Sequence, residues 1–270
     1  MFQHVGITKI GVLMLRNELK SRLKNGEIVY GTMVQEMTSP TVAQIFQRSG
    51  FDFIMIDCEH SPYDNSTVRE ILRVARLEKL NPLVRIRNLD YSLVAGYLDA
   101  GAMGLMLPRV ESPNDTDSLV KFVKYPPIGV RGLSSDAPHS DYFFGELQEF
   151  IDTQNADTLI IAQIERKAAV ENLEAILSNP EIDVALVGPE DLSLSYGVPG
   201  QTNHPDVTKA IEKVIDIAKK MNVASGIHMG NIEALKKWRA KGMQMIMYNS
   251  DLGFLIEGAT ENLETLKKDK

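Results

Sequence analysis

The sequence predicts an α/β fold, a (β/α)8 TIM barrel, and two observations predict it. Short, β-rich apolar runs recur along the chain, each followed by a stretch of helical spacing, and there are eight of them. A chain of 270 residues accommodates such a barrel as one domain.

The runs lie near Val29–Val34, Phe53–Asp57, Leu83–Ile86, Gly104–Leu107, Leu159–Ile164, Val184–Val187, Ala224–His228 and Met243–Tyr248. Among the helices between them, Val68, Ile71, Leu72 and Ala75 repeat at helical spacing, with Asn65 and Ser66 available to cap the first turn. Gly101, Gly242 and the pairs Asn81-Pro82 and Asn179-Pro180 end helices or begin connections. The stretch from Lys124 to about Tyr142, rich in Pro, Gly, Ser and Asp, is a long connection, and loops of that length often serve function. Residues 1–28 read as an N-terminal helical extension and residues 29–270 as the single barrel domain. A doubly wound open sheet shares the same alternation, because strand order is invisible in sequence; the count of eight favours the barrel.

Composition narrows the function classes. With 44% hydrophobic and 24% charged residues the chain is that of an ordinary soluble globular protein. Its net charge of −7, from 36 acidic and 29 basic residues with no long Lys/Arg block, argues against a nucleic-acid partner. The basic residues of Lys209–Lys220 and Lys236–Lys241 recur at helical spacing and read as solvated faces. One cysteine, Cys58, excludes an internal disulfide framework and fits the cytoplasm. The apolar stretch Ile10–Leu15 is short, is followed closely by Arg16, Glu18, Lys20 and Arg22, and is neither a signal peptide nor a membrane span.

In parallel α/β folds chemistry gathers beyond the carboxyl ends of the strands. The second run ends in Asp57-Cys58-Glu59-His60, the third in Arg85-Ile86-Arg87, the fifth in Gln163-Ile164-Glu165-Arg166 and the sixth in Gly188-Pro189-Glu190-Asp191. Glu165 and Asp191, on neighbouring runs, offer hard oxygen ligands to Mg2+ or Mn2+ and leave positions open for substrate and water. Arg85 presents a fixed fork of donors suited to a carboxylate or developing enolate. His60, with Asp57 or Glu59 nearby, can be held in one tautomer and exchange a proton near neutral pH. The turn Gly188–Ser193 joins a run to a helix, so backbone N–H groups at its start can meet an anionic carboxylate, and Gly188 allows close approach.

Each residue also has a plainer reading. Glu165 and Asp191 taken singly are ordinary rim carboxylates, and His60 alone is more often a hydrogen-bonded structural residue than a base. His4, His139 and His204 fall in loop or terminal contexts and receive no role. His228 ends a run and is equally a pocket or a packing residue. Cys58 reads as core or pocket wall rather than nucleophile, and Met243, Met245 and Met247 alternate as one face of a buried strand.

In order and spacing, Gly31-Thr32, the Asp57–His60 block, Val84-Arg85, Asp99-Ala100-Gly101, Tyr125-Pro126-Pro127 with Gly129-Val130-Arg131-Gly132, Gln163-Ile164-Glu165 and Gly188–Ser193 make the chain resemble the HpcH/HpaI aldolases. These are class II pyruvate aldolases that cleave 4-hydroxy-2-oxo acids, and the resemblance covers about Gly31 to Phe254. It implies a (β/α)8 barrel assembled as a homohexamer of dimers that exchange their last helix. It implies a divalent cation, Mg2+ or Mn2+ with Co2+ a further candidate, at Glu165 and Asp191. By the same resemblance Arg85 binds the keto-acid oxygen and stabilises the enolate, and His60, oriented by Asp57, transfers a proton through water. Gln163 and Glu59 support the site, Asp99 reaches the site of a neighbouring subunit, and the turn at Glu190-Asp191 cradles the pyruvate carboxylate. Cys58, Met33 and His228 depart from the family's usual residues and bear on the choice of aldehyde.

The expected activity is reversible cleavage of a 4-hydroxy-2-oxo acid to pyruvate and an aldehyde through a metal-stabilised enolate. The alternatives are a decarboxylase or C–C bond-forming synthase acting on oxaloacetate-like acids, and a non-catalytic keto-acid-binding barrel.

Overall fold

The computed structural model describes residues 15–142 and 145–268. The apolar run read at the N-terminus and His4 therefore fall, apart from Leu15, outside the described residues. Eight strands, all parallel, close into a barrel in sequence order: β1 (Val29–Val34), β2 (Phe53–Asp57), β3 (Asn81–Arg85), β4 (Gly104–Leu107), β5 (Leu159–Ile164), β6 (Val184–Val187), β7 (Ala224–Met229) and β8 (Met245–Ser250). The ladder shuts where Val29 pairs with Met245.

The helices are α1 (Glu18–Lys24), α2 (Thr41–Arg48), α3 (Asn65–Leu77), α4 (Tyr91–Asp99), α5 (Pro113–Val123), α6 (Leu147–Asp157), α7 (Lys167–Glu171), α8 (Leu173–Ile176), α9 (Pro189–Ser195), α10 (Pro205–Lys220), α11 (Ile232–Ala240) and α12 (Asp251–Lys268). Among its described residues, the long connection after α5 contains only a short 3-10 turn, Pro138–Ser140, before α6.

Because strand side chains alternate, the barrel makes two hydrophobic layers. Val29, Met33, Phe53, Met55, Leu83, Ile161, Leu186 and Met247 fill the interior, while Ile54, Val84, Leu105, Ala162, Val187 and Ile246 point outward against the helices. The interior fills by matching small residues to large ones. A Cβ on Gly31 would lie 2.2 Å from the ring of Phe53, its partner on the next strand.

Helix α1 crosses the amino end of the barrel, where Leu19 and Leu23 complete the interior layer. Buried Lys20 fixes it there through Asp183, 3.1 Å away, at the entry to β6. Leu19→Ala is expected to destabilise the protein by about 2–5 kcal/mol, since a fully buried leucine loses its contacts and leaves a cavity; urea unfolding measures this, and a shift below 1 kcal/mol would remove α1 from the core.

Three local readings need correction. Asp64, one residue before the two expected caps, caps α3 by accepting the N–H of Thr67 at 2.7 Å. Strand β3 opens on Asn81-Pro82, read as a connection: pairing with β4 starts only at Leu83, so the donor missing from Pro82 leaves no rung of that ladder unmade. Strand β8 starts at Met245, so Met245 and Met247 face the interior but Met243 packs in the outer layer. Among the described residues no helix is long and apolar enough to cross a membrane.

Candidate active site

Alternation and register deliver the polar strand ends to one mouth. Asp57 on β2 pairs with Arg85 on β3, and both continue the inward parity of Phe53, Met55 and Leu83. On β5, Gln163 follows inward-facing Leu159 and Ile161, and Glu165 stands two residues beyond it. Gly188 follows β6 and starts α9, in which Asp191 lies in the first turn.

Arg85 and Asp57 form the buried centre. The Arg85 Nε donates to Asp57 Oδ1 at 2.9 Å and Nη2 donates to Oδ2 at 2.7 Å, a two-pronged pairing in which Asp57 is fully buried. Burial works to raise the Asp57 carboxyl, but the guanidinium beside it wins and holds it below the usual carboxylate range. Arg85 Nη1 also lies 3.3 Å from Glu59, whose other oxygen meets Arg109 Nε at 3.0 Å. With two edges of the guanidinium committed, its remaining N–H groups are left for a third partner.

Glu165 is 1% exposed and shows the opposite balance. Desolvation pushes its carboxyl up to about 7, the charges of Asp191 and Glu59 push the same way, and the Arg109 N–H and Arg85 pull back without prevailing. Its Oε1 accepts the backbone N–H of Arg109 at 2.7 Å and its Oε2 accepts Gln163 Nε2 at 2.5 Å. Gly188 is tight against this pair: a Cβ there would fall 2.7 Å from Glu165 Oε2 and 2.9 Å from Gln163 Nε2.

Comparison with known proteins fits this arrangement. The profile of the HpcH/HpaI aldolase/citrate lyase family matches residues 33–258. The chain belongs to that family. Membership makes it a carbon–carbon lyase, and the family is in general divalent-metal-dependent. A hydroxypyruvate/pyruvate aldolase from Paraburkholderia phytofirmans is 31% identical over 93% of this chain and 98% of its own. A 5-keto-4-deoxy-D-glucarate aldolase from an Enterobacter species is 31% identical over 93% and 97%. The crystal structure of an HpcH/HpaI aldolase from Desulfitobacterium hafniense superposes with a TM-score of 0.89 at 32% identity, covering 92% of this chain and 96% of that one.

The donor set suits the family's cation. Glu165 and Asp191 offer hard oxygens, a divalent cation would relieve the repulsion of Asp191 on buried Glu165, and Gln163 Oε1 is buried with no hydrogen-bond partner among the described residues. No group of three or more His, Cys, Asp or Glu side chains with metal-holding geometry occurs among the described residues.

Asp57 accepts the backbone N–H groups of Glu59 and His60 at 3.0 and 3.3 Å, and its side-chain partners are Arg85 and Gln35; the acid beside the imidazole is Glu59, with 3.7 Å between His60 Nε2 and Oε2. His60 itself stands at the rim with its side chain 61% exposed. Asp99 is not in this chain's mouth. It ends α4, which runs back to the amino end of the barrel, and pairs with Arg131 at 2.6 Å. Glu190 is exposed and Pro189, buried, takes the first position of α9.

Cys58 packs in the outer layer, its thiol pushed by burial up to about 11, which removes the nucleophile reading. His204 caps α10 by accepting the N–H of Asp206, and His139 is buried edge-to-face against Phe150.

Sequence reading missed Arg109, Gln35 and Asp251. Arg109 follows β4 with φ +53°, a left-handed conformation uncommon outside glycine, held by its N–H on Glu165 and its Nη2 on Arg87 O at 2.9 Å. The strand-end rule would have found it had Pro108 not masked the end of the fourth run. Asp251 accepts the backbone N–H groups of Gln35, Glu36 and Met37, and so fixes the loop from which Gln35 reaches Asp57 at 3.4 Å.

Proposed function

We propose that the chain reversibly cleaves a 4-hydroxy-2-oxo acid into pyruvate and an aldehyde, with Glu165 and Asp191 holding Mg2+ or Mn2+, Co2+ being a further candidate. The observation that carries this reading is a guanidinium clamped by Asp57 in the same mouth as the Glu165–Asp191 pair, each close enough to act on the other's charge. A divalent cation bound to the two carboxylates supplies Lewis-acid polarisation of the 2-oxo group.

The chain's own groups do the rest. The free N–H edge of Arg85 takes the keto-acid oxygen and offsets the negative charge that grows there as the carbon–carbon bond breaks. Asp57 keeps that edge aimed. The N–H groups of Glu190 and Asp191, in the first turn of α9 and without partners inside the helix, receive the carboxylate. Gln163, anchored on Glu165, offers its free carbonyl to water or substrate. His60, beside Glu59 at the rim, relays the proton of the 4-hydroxyl through water.

The same reading extends to assembly. On α12 only Asp251 is buried among the described residues, while Leu255, Ile256, Leu263 and Leu266 are 52–74% exposed. That apolar surface supports exchange of the helix with a second copy in a cytoplasmic homohexamer, in which Asp99 serves a neighbouring site.

The test is product analysis. Incubated with 4-hydroxy-2-oxo acids and Mn2+, the protein is expected to release pyruvate and aldehyde in equal amounts, sensitive to chelation. Carbon dioxide from oxaloacetate without aldol cleavage would instead favour the decarboxylase, and binding without turnover of any oxo acid would leave a keto-acid-binding barrel.

A further inference from the structure

His228 stands in the mouth without a part in the chemistry above. On β7, Ala224 faces the interior and Ile227 packs outward, so strand alternation turns His228 inward. Ile227 pairs with Val187, which brings His228 alongside Gly188, and His228 itself pairs with interior Met247. The charges of Arg85 and Asp57 both act on its ring, which therefore shares their chamber.

The ring's hydrogen bonding fixes its tautomer. Nε2 lies 2.9 Å from the backbone oxygen of Asn249. A carbonyl oxygen only accepts, so Nε2 carries the proton. Burial, and then Arg85, hold the imidazole below its ordinary pKa, which keeps it neutral at pH 7. Nδ1 is then a bare lone pair. No hydrogen bond to it occurs among the described residues, and the residue is only partly buried.

A neutral acceptor on a ring in this mouth discriminates by chemistry. Carboxylate, ketone and aldehyde oxygens bring only lone pairs and are turned away, whereas a hydroxyl brings a proton to share. We propose that His228 is a specificity-determining residue that accepts, at Nδ1, a hydrogen bond from a substrate hydroxyl beside the reacting carbons, so that hydroxylated substrates are favoured over their deoxy counterparts. This rests on the aldolase reading. The hydroxyl comes either from C3 of a 3-hydroxy-2-oxo acid or from C2 of the aldehyde.

The experiment measures kcat/KM in the condensation direction with Mn2+ for two matched pairs: hydroxypyruvate against pyruvate with propanal as common acceptor, and glycolaldehyde against acetaldehyde with pyruvate as common donor. His228→Gln keeps a donor for Asn249 but leaves no acceptor at the position of Nδ1, and is expected to lower one of the two preference ratios about tenfold. His228→Asn places an amide oxygen where Nδ1 was and is expected to retain that ratio within about threefold. The ratio that falls identifies the source of the hydroxyl. Unchanged ratios in His228→Gln, equal losses in both variants, or a wild type that prefers the deoxy member of both pairs would each overturn the proposal. A wild type inactive on every pair would overturn the aldolase reading itself, a distinct outcome that removes the ground beneath this one.

Discussion

Arg85→Lys is expected to lower kcat/KM for aldol cleavage by about 100- to 1,000-fold while the protein stays folded. Lysine offers a point charge in place of a planar fork, so it cannot grip both oxygens of Asp57 and still present donors to an oxo acid. Arg85→Ala is the less informative change. It strands a fully buried carboxylate, at a cost of about 3–5 kcal/mol, so its lost activity would mix chemistry with unfolding. Steady-state kinetics of Arg85→Lys together with its thermal midpoint separate the two; activity within tenfold of wild type would take the oxyanion role away from Arg85.

The second large effect belongs to Glu165 and depends on pH. Its carboxyl ionises near 4.5 in the unfolded chain and at about 7 in the fold, so the native state holds the proton more tightly. The stability this proton confers is complete below pH 4.5 and is lost as pH rises through 7, a change of about 3 kcal/mol in metal-free protein. A saturating divalent cation favours the ionised carboxylate and flattens that fall. Urea unfolding between pH 5 and 8, in chelator and in Mn2+, is expected to show both effects. Glu165→Gln should lack the steep limb in chelator and bind Mn2+ at least about 100-fold more weakly by calorimetry. If it keeps wild-type affinity, the cation is held elsewhere.

Much of the barrel was legible because buried parallel strands are written as short apolar runs, and β1, β2, β4, β5 and β6 have the limits read from them. Proline and methionine misled at β3 and β8. Pro82 looked like a break because sequence does not reveal where the neighbouring ladder begins, and Met243 keeps the alternation of β8 without pairing in it.

The candidate site was legible wherever a side chain acts from a strand end, as for Asp57, Arg85, Gln163 and Glu165. It was illegible where the main chain acts. Arg109 supports Glu165 through its N–H in a left-handed backbone, which no residue type announces. The partner of Asp57 was also beyond sequence, which sets it beside His60, whereas the β2–β3 register brings Asp57 level with Arg85. Asp99 required the direction of α4, which takes it to the far end of the barrel.

The plug formed by α1 also bears on the order of events in time. With Leu19 and Leu23 packed into the interior layer at the amino end, the chamber among the described residues opens at the carboxyl ends of the strands. Two reactants that share one doorway must queue, and the one whose contacts lie deeper enters first. Under the aldolase reading the oxo acid is the inner guest, since Arg85 and Glu165 are buried while His60 marks the threshold. Traffic through the barrel is then ordered by its shape: in synthesis the aldehyde arrives last, and in cleavage it leaves first.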